Sequence, residues 1–281
     1  MKQIQWFPGH MFKSFRQIKE KLKLMDILIV LLDARLPQSS MNPEIYKLMS
    51  SKPTLILFNK MDLADDQVLS FWINKYQNEG FHTLKIDAQS GNNVNKIYTK
   101  TEEILKEKLD RQKSKGLKVR PLRTMILGIP NVGKSTLINQ LAKSKSTKTG
   151  NTPGVTKAQQ WIKLGEDFEL LDTPGVLWPK FDDPIVGYHL AITGAIKDKI
   201  LPMDDIVKYA IDFLVTYYPK RLKERYEITD MTLTFVEMLD HIGKKRGALL
   251  KGNDIDYDRV YQIILTDIRN NHLGGLSFDR P

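Results

Sequence analysis

The feature that most constrains the fold is a glycine-rich stretch between an apolar run and a segment of helical pattern. Residues 128–135 read Gly-Ile-Pro-Asn-Val-Gly-Lys-Ser and follow the apolar run 124–127. This spacing is that of a P-loop, in which glycines let backbone N–H groups wrap a phosphate while the lysine adds positive charge. A P-loop lies between a strand and a helix, so the sequence predicts an α/β domain around residue 128.

Short β-rich runs alternate with helical segments up to residue 177, which is the pattern of a mostly parallel sheet with helices on both faces. The predicted strands are residues 26–33, 54–59, 81–87, 123–128 and 168–172, and the predicted helices are residues 42–50, 65–79, 92–113 and 134–142. Because ligands bind beyond the carboxyl ends of such strands, we expect Asn59, Asp87, Gly128 and Asp172 to meet along one edge.

Only helical patterns follow residue 179. Asp256 is a candidate cap for a last helix, in which Tyr257, Val260, Ile264 and Ile268 recur at helical spacing and are expected to face inward.

Composition narrows the class of protein. The 281 residues include 43 Lys and Arg against 33 Asp and Glu, giving a net charge of +10, and no cysteine. Disulfides and thiol catalysis are therefore excluded. The apolar run 27–32 is far too short to cross a bilayer, and residues 1–24 lack the apolar segment of a secretory signal. We expect a cytoplasmic protein without membrane contact, whose charge favours a polyanionic partner or is simply a solvated basic surface.

The residues around the P-loop indicate a nucleoside triphosphate and Mg²⁺. Lys134 would contact the β- and γ-phosphates, and Ser135 would bind Mg²⁺ directly. Asp172-Thr-Pro-Gly175 follows a predicted strand, so Asp172 would hold Mg²⁺ through water and the Gly175 N–H would meet the γ-phosphate. Within the threonine-rich residues 147–156, Thr156 is preferred to Thr152 as a further direct Mg²⁺ ligand.

Guanine is predicted as the base from Asn59-Lys60-Met61-Asp62. A carboxylate at Asp62 accepts hydrogen bonds from guanine N1–H and N2–H₂, whereas adenine presents an acceptor there. In the following motif, residues 87–91, the Ala88 N–H would donate to guanine O6. The full predicted nucleotide site consists of Asn59, Lys60, Asp62, Asp87, Ala88, Gly128, Asn131, Val132, Gly133, Lys134, Ser135, Thr136, Thr156, Asp172 and Gly175.

The base-reading motifs precede the phosphate motifs, the reverse of the usual GTPase order, so the domain is predicted to be circularly permuted. The chain resembles the circularly permuted GTPases in this order and in four short motifs. These are Trp6-Phe-Pro-Gly-His10-Met11, Asp33-Ala-Arg35, Pro130-Asn-Val and Pro153-Gly-Val-Thr156. The resemblance covers essentially the whole chain.

The resemblance implies a Ras-like P-loop GTPase domain over residues 25–178, a basic N-terminal extension over residues 1–24 packing on it, and an all-α RNA-binding domain over residues 179–281. It implies a factor in late assembly of the large ribosomal subunit that binds GTP or GDP and contacts rRNA, with hydrolysis that is slow alone and stimulated by the subunit. We expect a monomer. Two alternatives stay open: an RNA-binding scaffold with incidental hydrolysis, and a GTPase acting on the small subunit or on tRNA.

Val176 stands where many GTPases have a water-orienting glutamine. Either another group positions the water or turnover is slow. The resemblance implies that His10 acts as this catalytic residue together with Lys134, and that Asn131 holds a potassium ion. Arg35 and Lys157 are less specific alternatives to that ion.

Basic and aromatic residues are interleaved in residues 1–24, a combination suited to structured RNA. The alternative is a helix that packs through Phe12, Phe15, Ile18 and Leu22, and we expect both functions on opposite faces. Further candidate phosphate contacts are Lys220, Arg221, Lys223, Arg225, Lys244, Lys245 and Arg246.

Overall fold

The computed structural model describes Ile4 and residues 9–115, 120–144 and 159–281, without the side chains of His10 and Ser144. The described chain divides into two compact units. The larger unit contains residues from Gly9 to Lys180 together with Asp279–Pro281, and the smaller contains Ile4 and Phe181–Phe278. The last three residues thus belong to the larger unit, although they follow the smaller one in sequence.

A six-stranded sheet forms the centre of the larger unit. Its strands are β1 Ile27–Asp33, β2 Thr54–Asn59, β3 His82–Lys85, β4 Leu122–Gly128, β5 Gln160–Leu164 and β6 Phe168–Asp172. The spatial order is β3-β2-β1-β4-β6-β5, and all neighbours are parallel except β5, which is antiparallel to β6. Asp33 lies opposite Asn59, and Leu31 lies opposite Gly128. The strands that carry the predicted motifs therefore end at one edge.

The helices described in this unit are α1 Gly9–Lys21, α2 Pro43–Met49, α3 Asp66–Asn78, α4 Lys96–Ile104, α5 Lys106–Ser114 and α6 Lys134–Ser144. Side-chain oxygens of Asn42 and Asp65 cap α2 and α3 by accepting bonds from the backbone N–H groups of the first turn. The single helix predicted over residues 92–113 is instead two helices, with Leu105 between them.

The core explains why β1 and β2 read as continuous apolar runs. Every residue of both strands is buried, as expected when helices cover both faces of a parallel sheet. Ile18, Trp72 and Tyr76 belong to the same buried cluster, with Phe15 packed against it. Phe12, in contrast, is 70% exposed, so it was wrongly expected to pack.

The smaller unit is helical, which confirms the predicted fold class. Its helices are α7 Pro184–Ile192, α8 Met203–Tyr217, α9 Pro219–Tyr226, α10 Phe235–Arg246 and α11 Tyr257–Arg269. Asp256 caps α11, and Val260, Ile264 and Ile268 are buried as predicted. The inward placement of Tyr257 was wrong, because this side chain is exposed and donates to Asp240 at 2.8 Å. Over the described ranges, no helix has both the length and the apolar character needed to cross a bilayer.

Candidate nucleotide-binding site

The P-loop connects the end of β4 to the start of α6 at Lys134. Asn131 and Gly133 have φ angles of 57° and 103°, so the chain turns through left-handed conformations there. A Cβ atom on Gly133 would lie 2.3 Å from Nδ2 of Asn59. Glycine is therefore required both by the backbone angle and by the close approach of the asparagine.

Lys134 is held inside the loop. Its Nζ donates to the carbonyl oxygens of Gly128 at 3.1 Å and Ile129 at 2.8 Å. Burial lowers the pKa of Lys134 to about 8, while the negative charge of Asp172 acts in the opposite direction. The ammonium is thus a poorly hydrated charge at the place where a P-loop binds phosphate.

The segment that begins with Asp172 lies directly against the P-loop. Asp172 is buried at the end of β6, and the Thr173 hydroxyl donates to Ile126 O at 2.6 Å. A Cβ on Gly175 would lie 2.6 Å from the backbone nitrogen of Pro130, and the next N–H donates to Gly128 O at 3.2 Å. Glycine permits this close packing of two backbones, a reason for Gly175 that the motif alone did not reveal.

Asn59 connects the base-reading motifs to the P-loop. Its Nδ2 donates to Val132 O at 2.8 Å, and its Oδ1 accepts from Ala88 N at 2.9 Å. Three strand ends predicted to converge are therefore joined through one buried side chain. The Ala88 N–H bonds to Asn59 in this structure, and its predicted bond to guanine O6 remains a prediction.

A buried charge cluster stands beside Asn59. Asp33 at the end of β1 accepts two bonds from the Arg35 guanidinium, at 2.9 and 2.8 Å. Lys60 Nζ donates to Asp33 at 3.0 Å and to Asn131 O at 3.0 Å. Burial opposes ionisation of Asp33, but Arg35 and Lys60 together hold its pKa well below the ordinary value. The sequence motif Asp-Ala-Arg at a strand end contains Arg35, but it did not indicate Lys60 as the second partner of the Asp33 carboxylate.

Asp62 lies in the short helical turn after β2, and Asp87 follows β3. The Asp87 carboxylate accepts from Gln89 N at 2.8 Å and Ser90 N at 3.2 Å, which fixes the turn after β3. Desolvation, followed by the nearby charge of Asp87, raises the pKa of Asp62. A carboxylate in this environment gains from an N–H donor pair such as that of guanine.

The oxygen ligands at this edge suit Mg²⁺, the cofactor that P-loop GTPases use. Ser135 lies in the first turn of α6, and Asp172 supplies a buried carboxylate. The described residues contain no cluster of three or more metal-binding side chains. Mg²⁺ sites of this class use one or two protein ligands together with phosphate oxygens and water.

The remaining predicted residues are distributed as follows. Val132 is buried in the loop, and Thr136 is exposed on α6. His10 is the second residue of α1, and its side chain lies outside the described atoms. Thr152, Thr156 and Lys157 lie outside the described residues.

Three motifs lie at one edge of the sheet: a P-loop, an Asp-x-x-Gly segment and an Asn-Lys-x-Asp motif. Because the base-reading motif comes first in the chain, this arrangement defines a circularly permuted P-loop GTPase. The family model described as "50S ribosome-binding GTPase" matches residues 123–248, and that described as "RsgA GTPase" matches residues 45–181. Ribosome biogenesis GTPase A of Priestia megaterium is 53% identical over 99% of this chain and 97% of that protein. The chain belongs to the ribosome biogenesis GTPase A family.

More distant relatives agree over the same length. Ribosome biogenesis GTPase A of Thermotoga maritima is 30% identical over 99% of this chain and 95% of that protein. A GDP-bound structure of YlqF has a TM-score of 0.69 at 26% identity and covers 95% of this chain and 99% of that one. A GNP-bound structure of YlqF from T. maritima has a TM-score of 0.68 at 26% identity, covering 96% and 98%. The chain is thus a GTP-hydrolysing enzyme of ribosome biogenesis.

Proposed function

We propose that this GTPase acts in the cytoplasm, late in assembly of the large ribosomal subunit, and binds its rRNA in a nucleotide-dependent way. The observation that carries the proposal is the match of residues 123–248 to a family described as binding the 50S ribosome. The names of the Priestia megaterium and Thermotoga maritima relatives, which refer to ribosome biogenesis, support the same process.

The connection between the two units suggests how nucleotide state would control binding. Gly175, the proposed γ-phosphate contact, precedes the first residue of the helical unit, Phe181, by six positions. We propose a GTPase domain over residues 25–178 and an RNA-binding domain over residues 179–281, with residues 1–24 as a basic extension. GTP would favour the arrangement that binds rRNA, and hydrolysis would release it.

Charge on the helical unit supports RNA as the partner. Lys220 and Lys223 are exposed on α9, and Lys244 is exposed near the end of α10. Arg225, in contrast, is paired with the buried Asp267 at 2.8 and 2.6 Å, so its charge is largely neutralised. The three lysines are therefore the stronger candidates for phosphate contacts.

We propose that His10 and Asn131 assist GTP hydrolysis and that Thr156 binds Mg²⁺. Val176 is buried and has no group that could orient water. A histidine brought to the γ-phosphate on the ribosomal subunit would supply that function, and potassium near Asn131 would offset charge between the β- and γ-phosphates.

The decisive experiment measures GTP hydrolysis by the full chain in KCl with purified large subunits, small subunits or neither. We expect strong stimulation by the large subunit alone. Stimulation by small subunits or tRNA instead would overturn the subunit assignment, and equally slow rates in all mixtures would favour a scaffold. A second experiment measures the affinity of the protein for large subunits, once with GDP bound and once with a non-hydrolysable GTP analogue bound. Equal affinities in the two states would refute nucleotide control.

Matched variants separate the individual roles. His10→Ala should abolish stimulation, whereas His82→Ala on the exposed edge strand β3 should not.

The double variant Lys220→Glu/Lys223→Glu should bind subunits more weakly and with a shallower salt dependence, by about one unit of log–log slope per lost phosphate contact. Lys96→Glu/Lys163→Glu, which makes the same charge change at exposed sites of the larger unit, is the control. Equal rates in KCl and NaCl would contradict the potassium site.

A further inference from the structure

The loop between β1 and α2, residues 34–42, is almost entirely buried. Gln38 is its one exposed residue. A buried loop needs partners for its backbone polar groups, because an unpaired N–H away from water is costly. Some of these partners come from distant parts of the chain, and they identify what the loop connects.

The first partner is Asp279, the third residue from the C-terminus. Its carboxylate accepts from the backbone nitrogens of Gln38 and Ser39, both at 2.7 Å, and from the Ser39 hydroxyl. Its own carbonyl oxygen accepts from Trp72 Nε1 at 3.0 Å. Asp279 is only 6% exposed. A buried carboxylate that accepts several bonds from one loop holds that loop strongly, because charge-assisted hydrogen bonds are the stronger kind.

The second partner is Val176, at the other end of the loop. Asn42 Nδ2 donates to Val176 O at 3.1 Å, while Asn42 Oδ1 accepts from Glu44 N and caps α2. Val176 follows Gly175, whose backbone packs on Pro130 in the P-loop. The loop thus bonds to the backbone immediately after the segment that is expected to contact the γ-phosphate.

We propose that Asp279 is a positioning residue for GTP hydrolysis. Through residues 38–42 it fixes Asn42, and Asn42 fixes the Val176 carbonyl, so that residues 172–175 keep their place on the P-loop. Asp279 follows the helical unit directly and Val176 shortly precedes it, so both chain segments that flank this unit bond to one loop. Displacement of either segment would therefore move residues 172–175 relative to the P-loop.

The test compares Asp279→Asn with wild type in single-turnover GTP hydrolysis by the full chain at 25 °C, without ribosomal subunits. The amide has the same shape but lacks the charge that holds the two backbone N–H groups. We expect the hydrolysis rate to fall about three- to tenfold, while the dissociation constant for GDP stays within about twofold. Arg280→Gln changes the neighbouring residue, whose guanidinium lies 4.0 Å from Asp65, and leaves the bonds of Asp279 to the loop in place. It is the control and should leave both values unchanged.

A lower melting temperature with an unchanged hydrolysis rate would show that Asp279 is merely structural and would overturn the proposal. If Asp279→Asn does not fold, Ser39→Ala removes a single bond to Asp279 and should lower the rate in the same direction. An unchanged rate in that variant would count equally against the proposal.

A double-mutant cycle tests the route. Asn42→Asp retains a side-chain oxygen to cap α2, since Asp is as good a cap as Asn, but cannot donate to Val176 O. If Asp279 acts through Asn42, the combined variant hydrolyses GTP no more slowly than the slower single variant. Rate losses that multiply would mean independent effects and would refute this path.

Discussion

Replacement of Asn59 by alanine should destabilise the larger unit and weaken nucleotide binding together. Asn59 is 2% exposed, and its amide pairs with Val132 O and Ala88 N, which belong to residues that are each 1% exposed. Alanine would leave both backbone groups buried without these partners. An unsatisfied buried group costs about 1–3 kcal/mol, so two of them predict a loss of about 2–6 kcal/mol in the free energy of unfolding.

The measurements are thermal unfolding and release of a fluorescent GDP. For a unit of this size each kcal/mol shifts the melting temperature by about 3 °C, which predicts a fall of about 6–18 °C. The P-loop and the base-reading turns would lose the bonds through Asn59 and keep the bond from Lys60 to Asn131 O. GDP release should therefore accelerate by about tenfold or more, corresponding to about 1.4 kcal/mol.

The matched control is Asn74→Ala on the exposed surface of α3. It removes the same amide without breaking a buried contact, and alanine slightly favours the helix. A melting temperature of Asn59→Ala within about 2 °C of this control, with unchanged GDP release, would refute the reasoning, because each unpaired buried group is expected to cost about 1 kcal/mol or more.

Three further changes test other parts of the site. Asp62→Asn removes the carboxylate that would accept from guanine N1–H and N2–H₂, so competition binding should show GTP affinity lowered about 100-fold and a relative gain for xanthine nucleotides. Gly175→Ala places a Cβ 2.6 Å from Pro130 N, so calorimetry should show a marked loss of affinity for non-hydrolysable GTP, with GDP affected less. Because the pKa of Asp33 is depressed, its stabilising contribution is complete above pH 4 and is lost as pH falls through the lowered value. The stability difference between wild type and Asp33→Asn, measured by denaturant unfolding, should therefore shrink below pH 4; a constant difference would mean that Asp33 does not act through its charge to Arg35.

The phosphate-binding and base-reading motifs could be predicted from local sequence. Each follows a predicted strand and contains residue types whose combination is specific for one kind of contact. Strand β5 was not predicted, since only two of its five residues are buried and it pairs with β6 in the antiparallel direction. The break at Leu105 was also missed, because both sides of it have helical pattern.

The contacts that unite the site could not be predicted for a different reason. Lys60 reaches Asp33 across 27 positions, Asn42 reaches Val176 across 134, and Asp279 reaches Ser39 across 240. Each is a polar pair whose members have no periodic pattern, so only the three-dimensional arrangement of strand ends brings them together.

These contacts also explain why the domain tolerates a permuted chain order. At the sheet edge that carries the nucleotide motifs, side chains such as Asn59 bond to the backbone of loops that follow other strands. These bonds do not depend on the order of the strands in the chain. Described residues on either side of the join between α5 and β4 bond at the opposite end of β1. There Asp26 accepts from Lys108 of α5 at 2.6 Å, from Arg120 at 2.8 and 2.9 Å, and from Arg123 N of β4 at 2.9 Å. Seven residues of strand, about 23 Å, separate that cluster from Asp33. A join at that end of β1 leaves the hydrogen bonds of the GTP site unchanged. The permutation therefore alters which part of the chain follows residues 172–175, and it does not alter the bonds that form the GTP site.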